Sequence, residues 1–394
     1  MPAPIVLRNL TPAPKKVLNP PTGEPVIATR KDLRDGSRGS GTTTEPSQEG
    51  VIFSESFDNQ PDWTSGLPEN ATWRNPDGLP DRVQGVHTGH TMPKDWYAIY
   101  QDPRWAPSLG DTDRHEAAEI LASNTDKARG GTGKSYVCWR DSRLLDSNPG
   151  LWNSDSALLY RLDQADPGGE GFYELYAEFW IAFSPEIIDS FYLNWMGAAK
   201  LFRIYSFTGD WNAPFDYFNE VSHPELLWSI YGGTQYGLKN FIALYGVDPP
   251  EGAPSMPKAP VGNGDFPLSY MYDTGDPIPD QLNGGLITPD LYDAAMMDQV
   301  FGPGGTWNKM AFHIKMNSAP GVNDGVLSQF LNDQRILHQT DVAWCSADRE
   351  MVPMNVLGIS GNDFFNEYPN EDRREEWYAI DDLVVRGSLP EDLK

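Results

Sequence analysis

The sequence predicts an all-β sandwich of the jelly-roll type with long loops and an extended N-terminal arm. Three observations carry this. Short runs with alternating apolar and polar side chains recur after residue 50. The 37 Gly and 34 Pro put turns and irregular connections between them. Helical runs are scarce.

A chain of 394 residues is long enough for two or three average domains, but all-β sandwiches often run past about 200 residues as one unit. One body over residues 51–388 is expected, followed by a short tail at 389–394. The aromatic content of 12%, with 13 Trp, 17 Tyr and 17 Phe, supplies its core.

Residues 1–50 differ from the rest. They are rich in Pro, Gly, Ser and Thr, hold no aromatic residue, and end in GSRGSGTTTEPSQEG. Residues 1–40 carry Arg8, Lys15, Lys16, Arg30, Lys31, Arg34 and Arg38 against Glu24, Asp32 and Asp35, a balance of +4, while the rest of the chain carries -30. Such a basic strap suits docking on an acidic neighbour, a second copy or a larger assembly.

The net charge of -26 argues against a nucleic-acid partner, because the phosphate backbone repels such a surface. Two cysteines far apart, Cys138 and Cys345, make no disulfide framework. MPAPIVLRNLTPAPKK lacks an apolar signal core, and no run approaches the roughly 18 apolar residues of a membrane span. The expected protein is soluble, and leaves a cell, if it does, without a classical signal.

The first strand is expected at Val51–Asp58, where Phe53, Glu55 and Phe57 alternate with Ile52, Ser54 and Ser56; its closing partner is Trp377–Arg386. Between them, strands are expected at Tyr173–Phe183, Lys200–Phe207, Trp228–Ile230, Phe241–Tyr245, Lys309–Met316 and Gly325–Leu331. His115–Leu121 and Pro289–Val300, the latter after Thr288 as N-cap, read as short helices. Val247–Gly285 is too rich in Pro and Gly for strands and reads as a surface excursion.

Alternation assigns faces. Ala177, Phe179, Ile181 and Phe183 form one side, leaving Tyr176, Glu178 and Trp180 on the other. Lys200, Phe202 and Ile204 oppose Leu201, Arg203 and Tyr205. Met310, Phe312, Ile314 and Met316 form a core set against Lys309, Ala311, His313 and Lys315. Leu327, Gln329 and Leu331 alternate with Val326, Ser328 and Phe330, with neither set marked as core.

Tyr176, Glu178, Trp180, Arg203, Tyr205, His313, Lys315 and Gln329 are therefore candidate glycan-binding residues. Aromatic rings stack on pyranose faces and Arg forks onto carboxylates. Hydrolysis lacks the paired carboxylates it needs, since no strand shows an E-x-D-x-x-E pattern. Elimination needs a carboxylate neutraliser and a proton mover, roles that Arg203, Tyr205, His313 and Lys315 can fill. Glu55 or Asp58, with Asp381 or Asp382, are positioned to meet across the closing strand pair, and Glu55 with Asp381 is a candidate calcium site; no cofactor is required otherwise. His87 and His90 in HTGH form only an incidental pair.

VIFSESFD, YAEFWIAF, KLFRIYS, WNKMAFHIKMNSAPGVNDGVLSQFLNDQRI and WYAIDDLVV together resemble the concanavalin A-like lectin/glucanase superfamily over residues 51–388. They are closest to its polysaccharide-lyase-like branch, including versions found in tailed-bacteriophage virion proteins. Where many relatives show D-G-x-x-x-x-W-x-[DN]-G, Phe330 stands for the Trp and Asp333 for the Gly. The resemblance implies a jelly roll and a glycan-directed surface, and leaves lectin, lyase and purely structural members open.

The expectation drawn is a virion decoration, fibre or spike protein that adheres to surface polysaccharide and is tethered to other virion proteins through residues 1–50. It would be a homo-oligomer or attached to a larger assembly, built in the host cytoplasm. The alternatives are a polysaccharide lyase, with Arg203 neutralising the carboxylate and Tyr205 or His313 moving the proton, and a cement protein that binds no glycan.

Overall fold

A computed structural model describes residues 50–65, 92–101, 115, 117–141, 152–193, 196–211, 223–231, 238–245, 247, 268–272, 297–365 and 375–394. The arm and the His87/His90 pair lie outside them. The strands are β1 Val51–Glu55, β2 Trp63–Thr64, β3 Ala98–Gln101, β4 Ala118–Ile120, β5 Tyr136–Asp141, β6 Trp152–Arg161, β7 Glu174–Phe183, β8 Met196–Tyr205, β9 Glu225–Tyr231, β10 Lys239–Tyr245, β11 Leu268–Tyr272, β12 Asn308–Lys315, β13 Gly325–Leu331, β14 Gln334–Val342, β15 Val356–Ile359, β16 Asn362–Phe365 and β17 Glu375–Arg386. The α-helices are α1 Pro185–Tyr192 and α2 Met297–Phe301.

The strands form two sheets. Sheet I runs β14-β13-β12-β7-β17-β5-β4-β2, with β1 also on β17. Sheet II runs β11-β10-β9-β8-β15-β6-β16, with β3 also on β6. Pairing is antiparallel throughout except for β10 with β11. The first and last strands pair as expected, Phe53 opposite Val385. The architecture is the jelly-roll sandwich.

The core is aromatic and crosses the gap between the sheets. Phe179 of sheet I meets Phe202 of sheet II at 4.9 Å between ring centres, and Phe312 stacks on Phe202 at 5.2 Å. Trp228 of β9 lies 5.7 Å from Phe312 and 6.1 Å from Phe179. Each such ring buries on the order of 150–250 Å² and dominates the stability of the layer.

Two polar clusters join the layers. Asn240 on β10 and Gln329 on β13 exchange amide hydrogen bonds at 2.6 and 3.0 Å, and Trp228 Nε1 donates to Asn240 at 2.7 Å. At the other end Arg140 of β5 forms an ion pair with Asp363 of β16, donates to Ser360 at 2.9 Å, and lies over the Tyr378 ring. All are buried.

Several expectations change. His115–Leu121 contains strand β4, whose three residues are all buried against β5. The apolar spacing there served a two-sided strand at a covered edge, which reads like a helix turn. Val247–Gly285 contains β11, so that span is not all loop. Of Pro289–Val300 only the end is described, in α2. α1 was missed although Ser184 caps it, accepting from Ile187 N at 3.1 Å, and Pro185 stands at its first turn.

Candidate functional site on the outer face of sheet II

The core defines which side chains face outward. Because Phe179, Phe312, Phe202 and Ile204 point inward, Tyr176, Glu178, Trp180, His313 and Lys315 lie on the outer face of sheet I, while Arg203 and Tyr205 lie on that of sheet II. Gln329 belongs to neither, since its amide is buried between the sheets against Asn240. The eight expected glycan contacts therefore divide among three places. Arg203 with Tyr205 and His313 with Lys315 stand on opposite sides of the sandwich and cannot serve one substrate.

The outer face of sheet I is largely self-satisfied. His313 Nε2 meets Glu174 Oε1 at 3.0 Å, and Lys315 Nζ lies 3.4 Å from Glu174 Oε2. Burial works against the ionised Glu174, but His313 and Lys315 outweigh it and hold the carboxyl below its ordinary range. Burial pushes His313 down, against the pull of Glu174. Tyr176 donates to Glu178 at 2.8 Å, and Lys309 bridges Glu178 and Asp333. The Arg129 guanidinium covers Trp180 at 3.9 Å, and Lys127 covers Trp139 and Trp377. The tail at 389–394 packs on this face, with Leu389 and Leu393 against Tyr176, Ala311 and Phe330.

Phe330 takes the place expected for Trp and packs edge-on to Tyr176 at 6.3 Å. Asn332 and Asp333 make the turn into β14 with φ of 50° and 66°, a two-residue hairpin that Asn and Asp tolerate. The turn thus forms without the glycine.

Glu55 and Asp381, the pair considered for calcium, are each engaged by hydrogen-bond donors of the chain. Glu55 accepts from Phe57 N at 2.6 Å, Gln60 Nε2 at 2.5 Å and Trp96 Nε1 at 3.2 Å. Asp381 accepts from Arg129 N at 2.9 Å and Asp382 N at 2.8 Å, and burial pushes its carboxyl up to about 8. Among the described residues no group of three or more His, Cys, Asp or Glu is placed to hold a metal. No helix among them is long and apolar enough to cross a membrane.

On sheet II a bulge breaks the alternation of β8. Lys200 pairs with Ser229 and Phe202 with Trp228, so Leu201 is an extra residue in β8. Leu201 and Phe202 both enter the core, and Lys200 moves to the outer side. Strict alternation had grouped Lys200 with Phe202 and Ile204, and Leu201 with Arg203 and Tyr205. The outer face then carries three rungs across β8 and β9: Lys200 with Ser229, Arg203 with Leu227, and Tyr205 with Glu225. Successive rungs are about 7 Å apart along the strands.

Arg203 Nη1 lies 3.6 Å from Glu225 Oε1. Both are deeply buried, at 3% and 1% exposure, whereas Lys200 is half-buried. Burial pushes the Glu225 carboxyl up to about 7, against the pull of Arg203 and Lys200. The turn between β15 and β16 makes room for the cations with glycine. A Cβ at Gly361 would stand 2.7 Å from Lys200 Cβ and 3.1 Å from Arg203 Nη2. Beyond Tyr205 the face turns aromatic, with Phe207, Tyr97 and Trp211, and the Arg161 guanidinium stacks on Trp211 at 3.7 Å. Glu225, Lys200, Tyr97, Trp211 and Arg161 were missed from the sequence. The alternation Glu225, Leu227, Ser229 in ELLWSIY was the available signal for the first.

No protein-family model matches the chain, and no curated protein does. Solved structures that share its general form include the marine PL-14 alginate lyase from Aplysia kurodai, at 10% identity and TM-score 0.40 over 77% of this chain and 97% of that one. Others are an alginate lyase from Chlorella virus, at 14% identity and 0.35 over 64% and 84%, and an endo-beta-1,4-glucuronan lyase from the fungus Trichoderma reesei, at 13% and 0.31 over 66% and 84%.

Proposed function

We propose that this chain acts on an acidic polysaccharide at the outer face of sheet II, and that the chemistry this face is equipped for is β-elimination. The observation that carries the reading is the bulge that gathers Lys200 and Arg203 on the same side as Tyr205 and Glu225. Arg203 and Lys200 neutralise the uronate carboxylate, which acidifies the hydrogen on the adjacent carbon. Tyr205, acting as the phenolate, takes that proton, a carbon–carbon double bond forms, the bond to the glycosidic oxygen breaks, and the leaving oxygen takes the proton back from the Tyr205 hydroxyl. Trp211 and Tyr97 flank this position, with the Arg161 guanidinium covering one face of Trp211.

Alginate, polygalacturonate and glucuronan incubated with the full chain are expected to gain absorbance near about 235 nm, the region of the unsaturated product, and R203A to lose it. No gain with any of them removes the lyase reading. A second reading, glycan adhesion without chemistry on a virion tethered through residues 1–50, is favoured by Arg203 already facing an internal carboxylate. It predicts retention of the polysaccharide with no absorbance change.

A further inference from the structure

Glu225 is an unusual partner for Arg203. The two are 3.6 Å apart, and neither Glu225 carboxylate oxygen accepts a hydrogen bond although both are buried. A carboxylate that belonged there permanently would engage the guanidinium fork at closer range, since charge-assisted Arg–carboxylate bonds run about 2.7–2.9 Å. Leaving two buried acceptor oxygens without a hydrogen bond costs free energy that a better-placed carboxylate would recover. The Ser229 hydroxyl on the Lys200 rung is likewise buried without a hydrogen bond.

We propose that Glu225 is an internal stand-in for the carboxylate of an acidic ligand: the ligand takes over Arg203 and Lys200, and Glu225 takes up a proton from solvent as it loses its counter-charges. The identity of the ligand as a uronate rests on the reading above; the exchange itself rests on the Arg203–Glu225 geometry.

The electrostatics agree. Among the described residues the charged groups acting on Glu225 are Arg203 and Lys200, both on β8, and the titratable neighbour directly opposite is Tyr205. In the free protein the cations offset part of the burial that holds the carboxyl at about 7. When a ligand carboxylate engages them, that offset is lost and the Glu225 pKa rises further. Above pH 7 the free protein therefore holds Glu225 ionised and the complex holds it neutral, so binding consumes a proton. Below pH 7 the group is already neutral and uptake fades. Affinity then falls by up to about tenfold per pH unit above 7.

The test is calorimetric titration of the full chain with an alginate trisaccharide and a galacturonate trisaccharide at pH 8, in two buffers of different ionisation enthalpy, for wild type and Glu225→Gln. The expected result is uptake approaching one proton by wild type, none by E225Q, and about tenfold tighter binding by E225Q. Infrared difference spectra of wild type on ligand addition give a second readout, a new protonated-carboxyl C=O band, that does not depend on the variant folding. Binding without proton uptake and without that band overturns the stand-in while leaving the polysaccharide reading in place. Binding by E225Q alone supports the stand-in, because the internal competitor then wins in wild type. Binding by neither protein overturns both.

Discussion

Gly358 of β15 stands directly opposite Arg203 of β8, and a Cβ there would lie 2.8 Å from Arg203 Cγ and 2.8 Å from Leu159 Cδ2. The arginine stem crosses the strand through the space that the glycine leaves. Gly358→Ala is expected to cost about 1–3 kcal/mol through overpacking and to displace the guanidinium from the Glu225 side. Denaturant unfolding measures the first effect and polyuronate turnover the second. Turnover should fall at least about tenfold at temperatures where the variant is fully folded, on the effective geometry of positioned groups. Unchanged turnover would separate Arg203 from the chemistry.

The Arg140–Asp363 pair is buried at both ends, and its guanidinium is shared with Ser360 and Tyr378. Removing one charge strands the other in a dry interior, so Arg140→Met is expected to destabilise the fold by roughly 3–5 kcal/mol. The double variant Arg140→Met with Asp363→Leu should recover most of that loss. Urea midpoints of the two variants measure the difference, and equal losses in both would mean that packing, not charge, holds this corner.

Most long strands were legible because alternation survives wherever one sheet face is the core: Gly325–Leu331 is observed at its expected bounds, and β7 and β12 shift by a single residue at each changed end. The strand Ala118–Ile120 was not legible, because three residues are too short a run for alternation to register. The site was half legible. Arg203 and Tyr205 were found, but Lys200 was grouped with Phe202 and Ile204 on the opposite face because a bulge inserts Leu201, and a bulge leaves no mark on a period-two pattern. The separation of Arg203 from His313 was beyond reach, since alternation states that a residue faces away from the core without stating from which sheet.

That separation is itself testable. Lys315, 56% exposed and paired with Glu174 on sheet I, lies on the far side of the sandwich from Arg203. Lys315→Ala and His313→Gln are expected to leave polysaccharide retention and turnover within about twofold of wild type at temperatures where both variants are folded, since neither side chain lies on the face that carries Arg203. R203A should abolish turnover. Loss in the Lys315 variant instead would move the site to sheet I.

Asp381 links the fold to pH. It is 5% exposed, and burial, with Asp382 and Asp58 adding repulsion, raises its carboxyl from 3.8 to about 8 despite hydrogen bonds from Arg129 N and Asp382 N. A carboxyl whose pKa is higher in the folded chain than in the unfolded one binds more protons when folded. Its contribution to stability is therefore present at pH values below about 4 and lost as pH rises from there through about 8. Glu225, raised to about 7, contributes in the same direction over a narrower window. The unfolding free energy is expected to fall by a few kcal/mol between pH 5 and pH 9 on this account, about 1.4 kcal/mol for each pH unit of a full single-proton difference. Asp381→Asn keeps an acceptor for the Arg129 N–H and removes the ionisable proton. Its unfolding free energy should vary less over that range and exceed that of wild type at pH 9. A wild-type curve that rises from pH 5 to pH 9, or a variant curve of equal slope, would place the Asp381 carboxylate in a far more polar setting than its burial indicates.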